Sequence, residues 1–329
     1  MNRRQFLSSA SAAGLLGLSG CGGGDVDYEL LNVSYDPTRE LYRKINRLFA
    51  ADYLARTGKK VRVRQSHGGS GSQARAVMDG LPADVVTLAM WTDTDAIRAK
   101  GLIEPKWEDR LPNKSLPYYS TIVFVVRKGN PHGIQDWPDL IKPGVKIITP
   151  NPKTSGGAKF NILGVWGAIT RRGGSEADAR GFVRELLRRV PVLDSGARSA
   201  TVTFARKNIG DVHLTWENEA HLEERELKGV VEVITPKVSV MAEPHVAVVD
   251  ANAARRGTAE VAREYLEYLY KPDAQAAIAE SHYRTGTPSP TLFRPTDLTW
   301  NGKPADWPTL HKAFFAEGGL FDQVYQPGE

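Results

Sequence analysis

The sequence has almost no cysteine, and it lacks the short motifs of common nucleotide-binding and catalytic sites. Its 329 residues contain one cysteine, Cys21, which excludes a disulfide within the monomer and a cysteine-based metal or redox site. A Walker A motif, a G-x-G-x-x-G fingerprint and a G-x-S-x-G elbow are all absent. The seven histidines include no H-x-x-x-H pair, so no metal site is predicted. These absences argue against nucleotide binding, serine hydrolysis and metal chemistry.

Blocks of basic residues are also missing. The formal charge is +5, and it falls to +3 if Arg3 and Arg4 are removed with a leader, since 41 basic residues then remain beside 38 acidic ones. A charge this small and this dispersed does not predict nucleic acid as a partner.

The first 20 residues resemble a twin-arginine signal peptide. Arg3 and Arg4 precede a small, apolar, uncharged stretch over residues 8–20, which is too short to span a membrane stably. The stretch ends in Leu-Ser-Gly-Cys, which resembles a lipobox with Cys21 as the lipidation site. We therefore expect a signal over 1–20, a tether over 21–26, and a protein anchored to the membrane by lipid outside the cytoplasm.

From residue 27 onward, strand and helix patterns alternate, which is typical of α/β proteins. Two long extended runs, 118–127 and 244–250, flank a second α/β set. The pattern predicts two lobes joined by these runs, and hinged lobes close around ligands. The predicted bounds are 27–117 plus 249–300 for the first lobe, 118–248 for the second, and 301–329 for a C-terminal segment.

Two Gly/Ser turns, at residues 66–71 and 154–157, each follow a predicted strand and precede a predicted helix. Helix N-termini present unpaired N–H groups, and glycine lets a ligand approach the backbone closely. The first turn offers Ser70, and the second offers Ser155, Gly156 and Gly157. Each turn alone could be purely structural, but two together predict an anion held from two sides.

A third turn at residues 194–198 and Trp216 at a strand end complete a set of neutral hydrogen-bond donors. Trp216 taken alone is also compatible with a core position, and its indole N–H can only donate. Arg198 is predicted either to place a charge behind these donors or to lie on the surface. Asp93-Thr94-Asp95 is interpreted as a helix cap or linker.

A site built only of donors favours sulfate. Sulfate is fully deprotonated at neutral pH, whereas phosphate retains a proton in part and needs an acceptor facing it. Molybdate and tungstate are tetrahedral acceptors as well, and these two anions and phosphate stay open as alternatives. A hydrolase using Ser70 or Ser155 also stays open, although no partnered histidine is evident.

The same segments resemble the periplasmic sulfate-binding proteins of sulfate/thiosulfate ABC importers. The resemblance runs from residue 30 to about 283 and is carried by NVSYDPTRELY at 32–42, QSHGGSG at 65–71, ADVVTLA at 83–89, KGNP at 128–131, ITPNPKTSGG at 148–157, LDSGAR at 193–198 and WENEA at 216–220. Residues 284–307 match the family poorly, and the match resumes at 314–322.

This resemblance implies a two-lobed type II solute-binding fold, with a mixed sheet flanked by helices in each lobe and no catalytic residues. It implies that sulfate or thiosulfate is held between the lobes by six ligand residues: Ser70, Ser155, Gly156, Gly157, Ala197 and Trp216. Asp36 would sit behind them and orient the first turn or helix. The expected partners are the permease subunits of an ABC transporter, and the protein is expected to be a monomer without cofactor.

Overall fold

The computed structural model describes residues 26–325. The predicted signal peptide, the lipidation site Cys21 and all of the tether except Val26 lie outside the described residues. Over the described range, no helix combines the length and the apolar character needed to cross a membrane.

The strands are short and fall into three sheets. Their bounds are β1 Tyr28–Tyr35, β2 Val61–Gly68, β3 Val85–Thr87, β4 Ser120–Arg127, β5 Ile147–Pro150, β6 Leu193–Asp194, β7 Val212–Trp216, β8 Val231–Ile234, β9 Ser239–Ala242, β10 Val246–Val248, β11 Leu292–Phe293, β12 Thr299–Trp300 and β13 Lys303–Pro304.

The helices separate these strands. Their bounds are α1 Arg39–Thr57, α2 Ser70–Met78, α3 Trp91–Ala99, α4 Pro112–Ser115, α5 Gly156–Thr170, α6 Glu176–Arg188, α7 Ala197–Thr201, α8 Glu217–Leu227, α9 Asp250–Arg256, α10 Ala259–Tyr268, α11 Pro272–Glu280, α12 Trp307–Phe314 and α13 Leu320–Val324. A 3-10 turn over Asp36–Thr38 precedes α1, and a π-helical turn over Val202–Arg206 continues α7.

The first lobe is built on a four-stranded sheet in the order β10-β3-β1-β2. β1 is parallel to β2 and β3, and β10 closes one edge antiparallel to β3. Helix α1 covers this sheet with Leu41, Ile45 and Phe49, which recur at helical spacing and are buried. The helix ends at Gly58, whose φ of 71° is the left-handed conformation that glycine adopts without strain. The parallel strands therefore direct their carboxyl ends, and the turns that follow them, toward one edge.

The second lobe is built on a seven-stranded sheet in the order β11-β9-β4-β7-β5-β6, with β8 also paired to β4. β7 is antiparallel to β4 and parallel to β5. Helix α5 packs on this sheet and is buried along almost its whole length. Its outer side is covered by C-terminal aromatic rings, since Trp166 lies 5.3 Å from Trp300 and 4.9 Å from Phe314 between ring centroids.

The chain passes between the two lobes three times. The first passage enters β4 at Ser120 and the second runs from Ala242 to Val246, and the two lie side by side because Ser120 pairs with Ala242. The third passage lies between α11 and β11, where the backbone of Arg284 bridges to Tyr119. Two passages fall in the predicted extended runs, and the third was not predicted.

The strand pairings differ from the predicted lobe bounds at two points. β10 was assigned to the second lobe but pairs with β3 of the first. β11 was assigned to the first lobe but pairs with β9 of the second. Strands of two or three residues show no pattern that identifies their neighbours, so only the structure could place them. The C-terminal helices contact both lobes, α12 through α3 and α13 through α6.

The start of α1 also differs from the prediction. The Asp-Pro pair at 36–37 predicts the N-cap and the first residue of this helix. They form instead the 3-10 turn Asp36–Thr38, and the α-helix begins at Arg39. The N-cap of α1 is Thr38, and the side chain of Asp36 lies 3.5 Å from that of Arg39.

Candidate anion-binding site

The predicted donor residues meet in a small cavity between the lobes. Its lining comes from β1, β2, α2 and the 3-10 turn of the first lobe and from α5 and α7 of the second. The lining residues are Tyr35, Asp36, Pro37, Gly68, Gly69, Ser70, Ala89, Ser155, Gly156, Gly157 and Ala197. Five of the six predicted ligand residues therefore line one cavity, and only Trp216 is outside the lining.

Three helices begin at this cavity. Helix α2 begins at Ser70, α5 at Gly156 and α7 at Ala197. The N–H groups in the first turn of a helix have no acceptor within that helix, and the helix dipole places partial positive charge there. The cavity is thus surrounded by unpaired backbone donors from both lobes, which is the environment that an anion requires.

Ser70 is held tightly by the first lobe. Its hydroxyl donates to Asp93 Oδ2 at 2.5 Å and accepts the N–H of Ala89 at 3.1 Å. The residue is 1% exposed. Because the hydroxyl proton is used by Asp93, Ser70 can offer its backbone N–H, and not its hydroxyl, to a ligand.

Ser155 is arranged differently. It is the N-cap of α5, and its hydroxyl oxygen accepts the N–H of Ala158 at 3.4 Å. An accepting hydroxyl keeps its own proton, so Ser155 Oγ can donate toward the cavity. The side chain of Ser155 therefore supplies a donor in addition to the backbone of α5.

Trp216 supplies a donor near the cavity that has no partner in the protein. The residue is 1% exposed, and its Nε1 has no hydrogen-bond partner. The ring is fixed between Tyr35 of the first lobe and Phe160 of the second, with centroid separations of 5.1 and 5.5 Å. Nε1 lies 3.0 Å from the position that a Cβ on residue 157 would occupy. An N–H that is buried without an acceptor costs free energy, and an anion beside Gly157 would satisfy it.

Two glycines let the lobes approach each other at the cavity. A Cβ on residue 156 would lie 2.7 Å from Ala89 Cβ, and a Cβ on residue 69 would lie 2.4 Å from the carbonyl oxygen of Thr154. Both contacts join residues of opposite lobes. The cavity therefore has its present form only while the lobes are closed, and a side chain at either position would hold them apart.

Positive side chains are absent from the lining. None of the eleven lining residues is a lysine, arginine or histidine. His67 is next to Gly68, but burial, aided by the charge of Arg39, lowers its pKa to about 4, so His67 is neutral at pH 7. Across residues 26–325, no group of three or more His, Cys, Asp or Glu side chains is placed to hold a metal ion.

Asp36 lies in the cavity wall, whereas Arg198 lies outside it. Asp36 lines the cavity rather than standing behind it, with Oδ1 3.5 Å from Arg39 Nη2. Its Oδ2 lies 3.0 Å from the position of a Cβ on Gly196, across the lobe boundary. Burial raises the pKa of Asp36, and the charges of Arg39 and Arg198 oppose that shift. Arg198 itself lies in a neighbouring charged groove and not in the cavity wall.

Two residues next to the site were not identified from the sequence. Asp93 was interpreted as part of a cap or linker, but it lies inside α3, where it accepts the Ser70 hydroxyl. Lys159, one turn into α5, reaches Asp93 from the other lobe. The only signal in the sequence was a lysine in an otherwise uncharged helix, and this signal does not identify the residue that the lysine contacts.

The family follows from comparison with known proteins. A family model described as bacterial extracellular solute-binding protein matches residues 32–284. The chain belongs to this family, and its two sheets flanked by helices form the two-lobed type II periplasmic-binding-protein fold.

Within the family, the relatives share a narrower description. The sulfate-binding protein of Escherichia coli K12 is 51% identical over 91% of this chain and 93% of its own length. The thiosulfate-binding protein of Pseudomonas aeruginosa is 44% identical over 99% of each chain. Among solved structures, the sulfate-binding protein SubI from Mycobacterium tuberculosis is 31% identical, with a TM-score of 0.74 over 82% of this chain and 95% of that chain. The chain thus belongs with the sulfate- and thiosulfate-binding proteins, and the resemblance seen in the sequence is confirmed.

Proposed function

We propose that this protein is an extracytoplasmic receptor that binds sulfate between its two lobes and delivers it to an ABC permease. The observation that supports this most strongly is the buried Nε1 of Trp216, which has no partner in the protein and lies beside Gly157. The names of the relatives, sulfate-binding and thiosulfate-binding protein, agree with an anionic ligand. The proposed ligand residues are Ser70, Ser155, Gly156, Gly157, Ala197 and Trp216.

The chemistry of the cavity supports sulfate over phosphate. The lining offers backbone N–H groups and the Ser155 hydroxyl, and its single acidic side chain is Asp36. One oxygen of Asp36 faces Arg39, and the other lies at the lobe boundary near Gly196. A protonated phosphate oxygen would have only this carboxylate, already paired with Arg39, as an acidic acceptor, and phosphate is expected to be bound more weakly than sulfate.

The same geometry gives no support to hydrolysis. The Ser70 hydroxyl is bonded to a carboxylate and an amide, and the Ser155 hydroxyl caps a helix. Neither serine is hydrogen-bonded to a histidine that could activate it. We propose that the protein has no catalytic activity and acts as a monomeric binding protein without cofactor. It would be exported by the twin-arginine route and anchored through lipid at Cys21.

Titration calorimetry of the protein tests the proposal. Sulfate is expected to bind one to one at micromolar or lower concentration, and thiosulfate is titrated beside it. Phosphate and molybdate serve as comparison anions of the same shape. No binding of micromolar sulfate, or equal affinity for phosphate and sulfate, would contradict the assignment. Radiolabelled palmitate incorporation, compared with Cys21→Ser, tests the anchor separately.

A further inference from the structure

A buried ion pair joins the two lobes beside the cavity. Lys159 Nζ of α5 lies 3.3 Å from Asp93 Oδ1 of α3, and the two side chains are only 6% and 8% exposed. α3 belongs to the first lobe and α5 to the second. The pair can therefore form only when the lobes are closed.

The pair is connected to the cavity but does not line it. Asp93 accepts the Ser70 hydroxyl with Oδ2 and faces Lys159 with Oδ1. One carboxylate thus joins a proposed ligand residue of its own lobe to a cation of the other lobe. Neither Asp93 nor Lys159 is among the residues that line the cavity.

The C-terminal segment covers this pair from water. The Phe315 ring centroid lies 5.9 Å from Lys159 Nζ, and α12 contacts α3. His311 of α12 is also close, and burial together with the charge of Lys159 lowers its pKa, so it adds no charge at neutral pH. Two other cations lie nearby: Lys153 is bonded to Asp322 and to the carbonyl of Phe315, and Arg75, near Gly71 on the Asp93 side, donates to the Ser72 hydroxyl. Asp93 is therefore the acidic group that balances Lys159.

We propose that Asp93 and Lys159 form a latch that sets how long the closed state lasts, without touching the anion. In open lobes both side chains would be hydrated. Closure removes both side chains from water, and the free-energy cost of desolvation is offset only if the two charges pair with each other. A closed state with one partner missing would contain an uncompensated charge and would reopen faster. The inference rests on the proposed binding of an anion between the lobes.

The test is a double-mutant cycle on sulfate dissociation. Lys159→Met conserves volume, and Asp93→Asn keeps an oxygen that can accept the Ser70 hydroxyl. Stopped-flow tryptophan fluorescence of the full protein reports the dissociation rate, because Trp216 adjoins the cavity. Each single variant is expected to dissociate about 10- to 100-fold faster, with an association rate within threefold of the wild type. The increase in the dissociation rate of the double variant is expected to be well below the product of the increases in the two single variants.

A matched control removes an ion pair that lies within one lobe. Arg172 Nη2 is 2.6 Å from Asp136 Oδ2, and both residues belong to the second lobe. Arg172→Met should leave dissociation within twofold of the wild type. The melting temperature of the anion-free protein should be the same for wild type and Lys159→Met, since the open lobes hydrate both side chains.

Three results would overturn the latch. The first is a dissociation rate of Lys159→Met within twofold of the wild-type rate. The second is an increase in the dissociation rate of the double variant that equals the product of the increases in the two single variants. The third is a lower melting temperature of the anion-free variant without faster dissociation, which would identify a purely structural pair. If the wild type does not bind sulfate, the sulfate assignment fails, and the cycle uses whichever of thiosulfate, molybdate or phosphate the wild type binds. Failure of all four anions to bind refutes both proposals.

Discussion

Replacing Trp216 by phenylalanine tests the most specific feature of the site. The change removes the indole N–H and keeps an aromatic ring between Tyr35 and Phe160. In the closed structure Nε1 is buried and bonded to no group of the protein, so its removal breaks no hydrogen bond within the protein. In the complex, by our proposal, Nε1 donates to a divalent anion. The variant should therefore lose affinity far more than it loses stability.

The magnitude follows from the charge on the acceptor. A hydrogen bond to a charged group contributes about 1.5–3 kcal/mol. Since about 1.4 kcal/mol is a tenfold change in the dissociation constant, the loss should be roughly 10- to 150-fold. The burial of Trp216 places the result toward the upper end, because water cannot replace the missing donor in a closed cavity.

Trp166 provides a matched control for the loss of volume. It is also 1% exposed with an unpartnered Nε1, but it packs against Trp300 and Phe314 on the far side of α5. Trp166→Phe should lower the melting temperature about as much as Trp216→Phe and leave sulfate affinity unchanged in calorimetry. A dissociation constant within twofold of wild type for Trp216→Phe, or an equal loss of affinity in both variants, would refute the assignment of Trp216 as a ligand.

Three further changes test the surroundings of the cavity. Ser155→Ala removes a side-chain donor and the N-cap of α5, so calorimetry should show at least a tenfold loss of sulfate affinity and thermal melting a loss of about 1 kcal/mol. Gly156→Ala places a methyl group 2.7 Å from Ala89 Cβ, which should oppose closure of the lobes and weaken sulfate binding at least tenfold. Gly181→Ala, which adds a methyl group in open space, should leave the affinity unchanged. Equal affinities of the two variants would show that closure tolerates a side chain at position 156. Glu243→Gln tests pH dependence: burial raises the pKa of Glu243 to about 7, so the folded protein holds this proton more tightly than the unfolded chain, and stability is lost as pH rises from about 4.5 through 7. The glutamine variant should gain at most about 3 kcal/mol relative to wild type at pH 8 in urea unfolding and nothing at pH 4, and a difference independent of pH would contradict this account.

Much of the site could be predicted from the sequence because its parts are local. Trp216 was predicted at the end of a strand, and the structure shows that strand as β7, Val212–Trp216. A strand followed by Gly and Ser and then by a helical pattern places unpaired N–H groups at a definite point. Since these turns follow the carboxyl ends of parallel strands, they gather at one edge. Ser70, Ser155 and Ala197 line the same cavity, which agrees with that reasoning.

What could not be predicted depends on contacts between distant segments. Asp93 resembles a cap residue in its local sequence, and only the closed lobes bring it to Lys159, 66 residues away. The position of Asp36 in the cavity wall depends on a 3-10 turn that replaced the expected N-cap. The pairing of β11 with β9 depends on a third passage between the lobes. It could not be predicted, because the sequence of a two-residue strand does not identify the strand with which it pairs.

The absence of a positive side chain from the cavity wall suits a receptor that must release its anion. A lysine or arginine on one lobe would keep its attraction for a divalent anion after the lobes opened. Neutral donors behave differently, because each N–H exchanges the anion for water at little net cost once the lobes separate. In this protein the proposed donors are divided between the lobes, with Ser70 on the first and Ser155, Gly156, Gly157, Ala197 and Trp216 on the second. Opening therefore removes the first lobe's donor from the anion and lets water reach the rest. The charges that stabilise closure, Asp93 and Lys159, lie outside the cavity lining and cancel each other, so affinity in the closed state and release in the open state can be set by different residues.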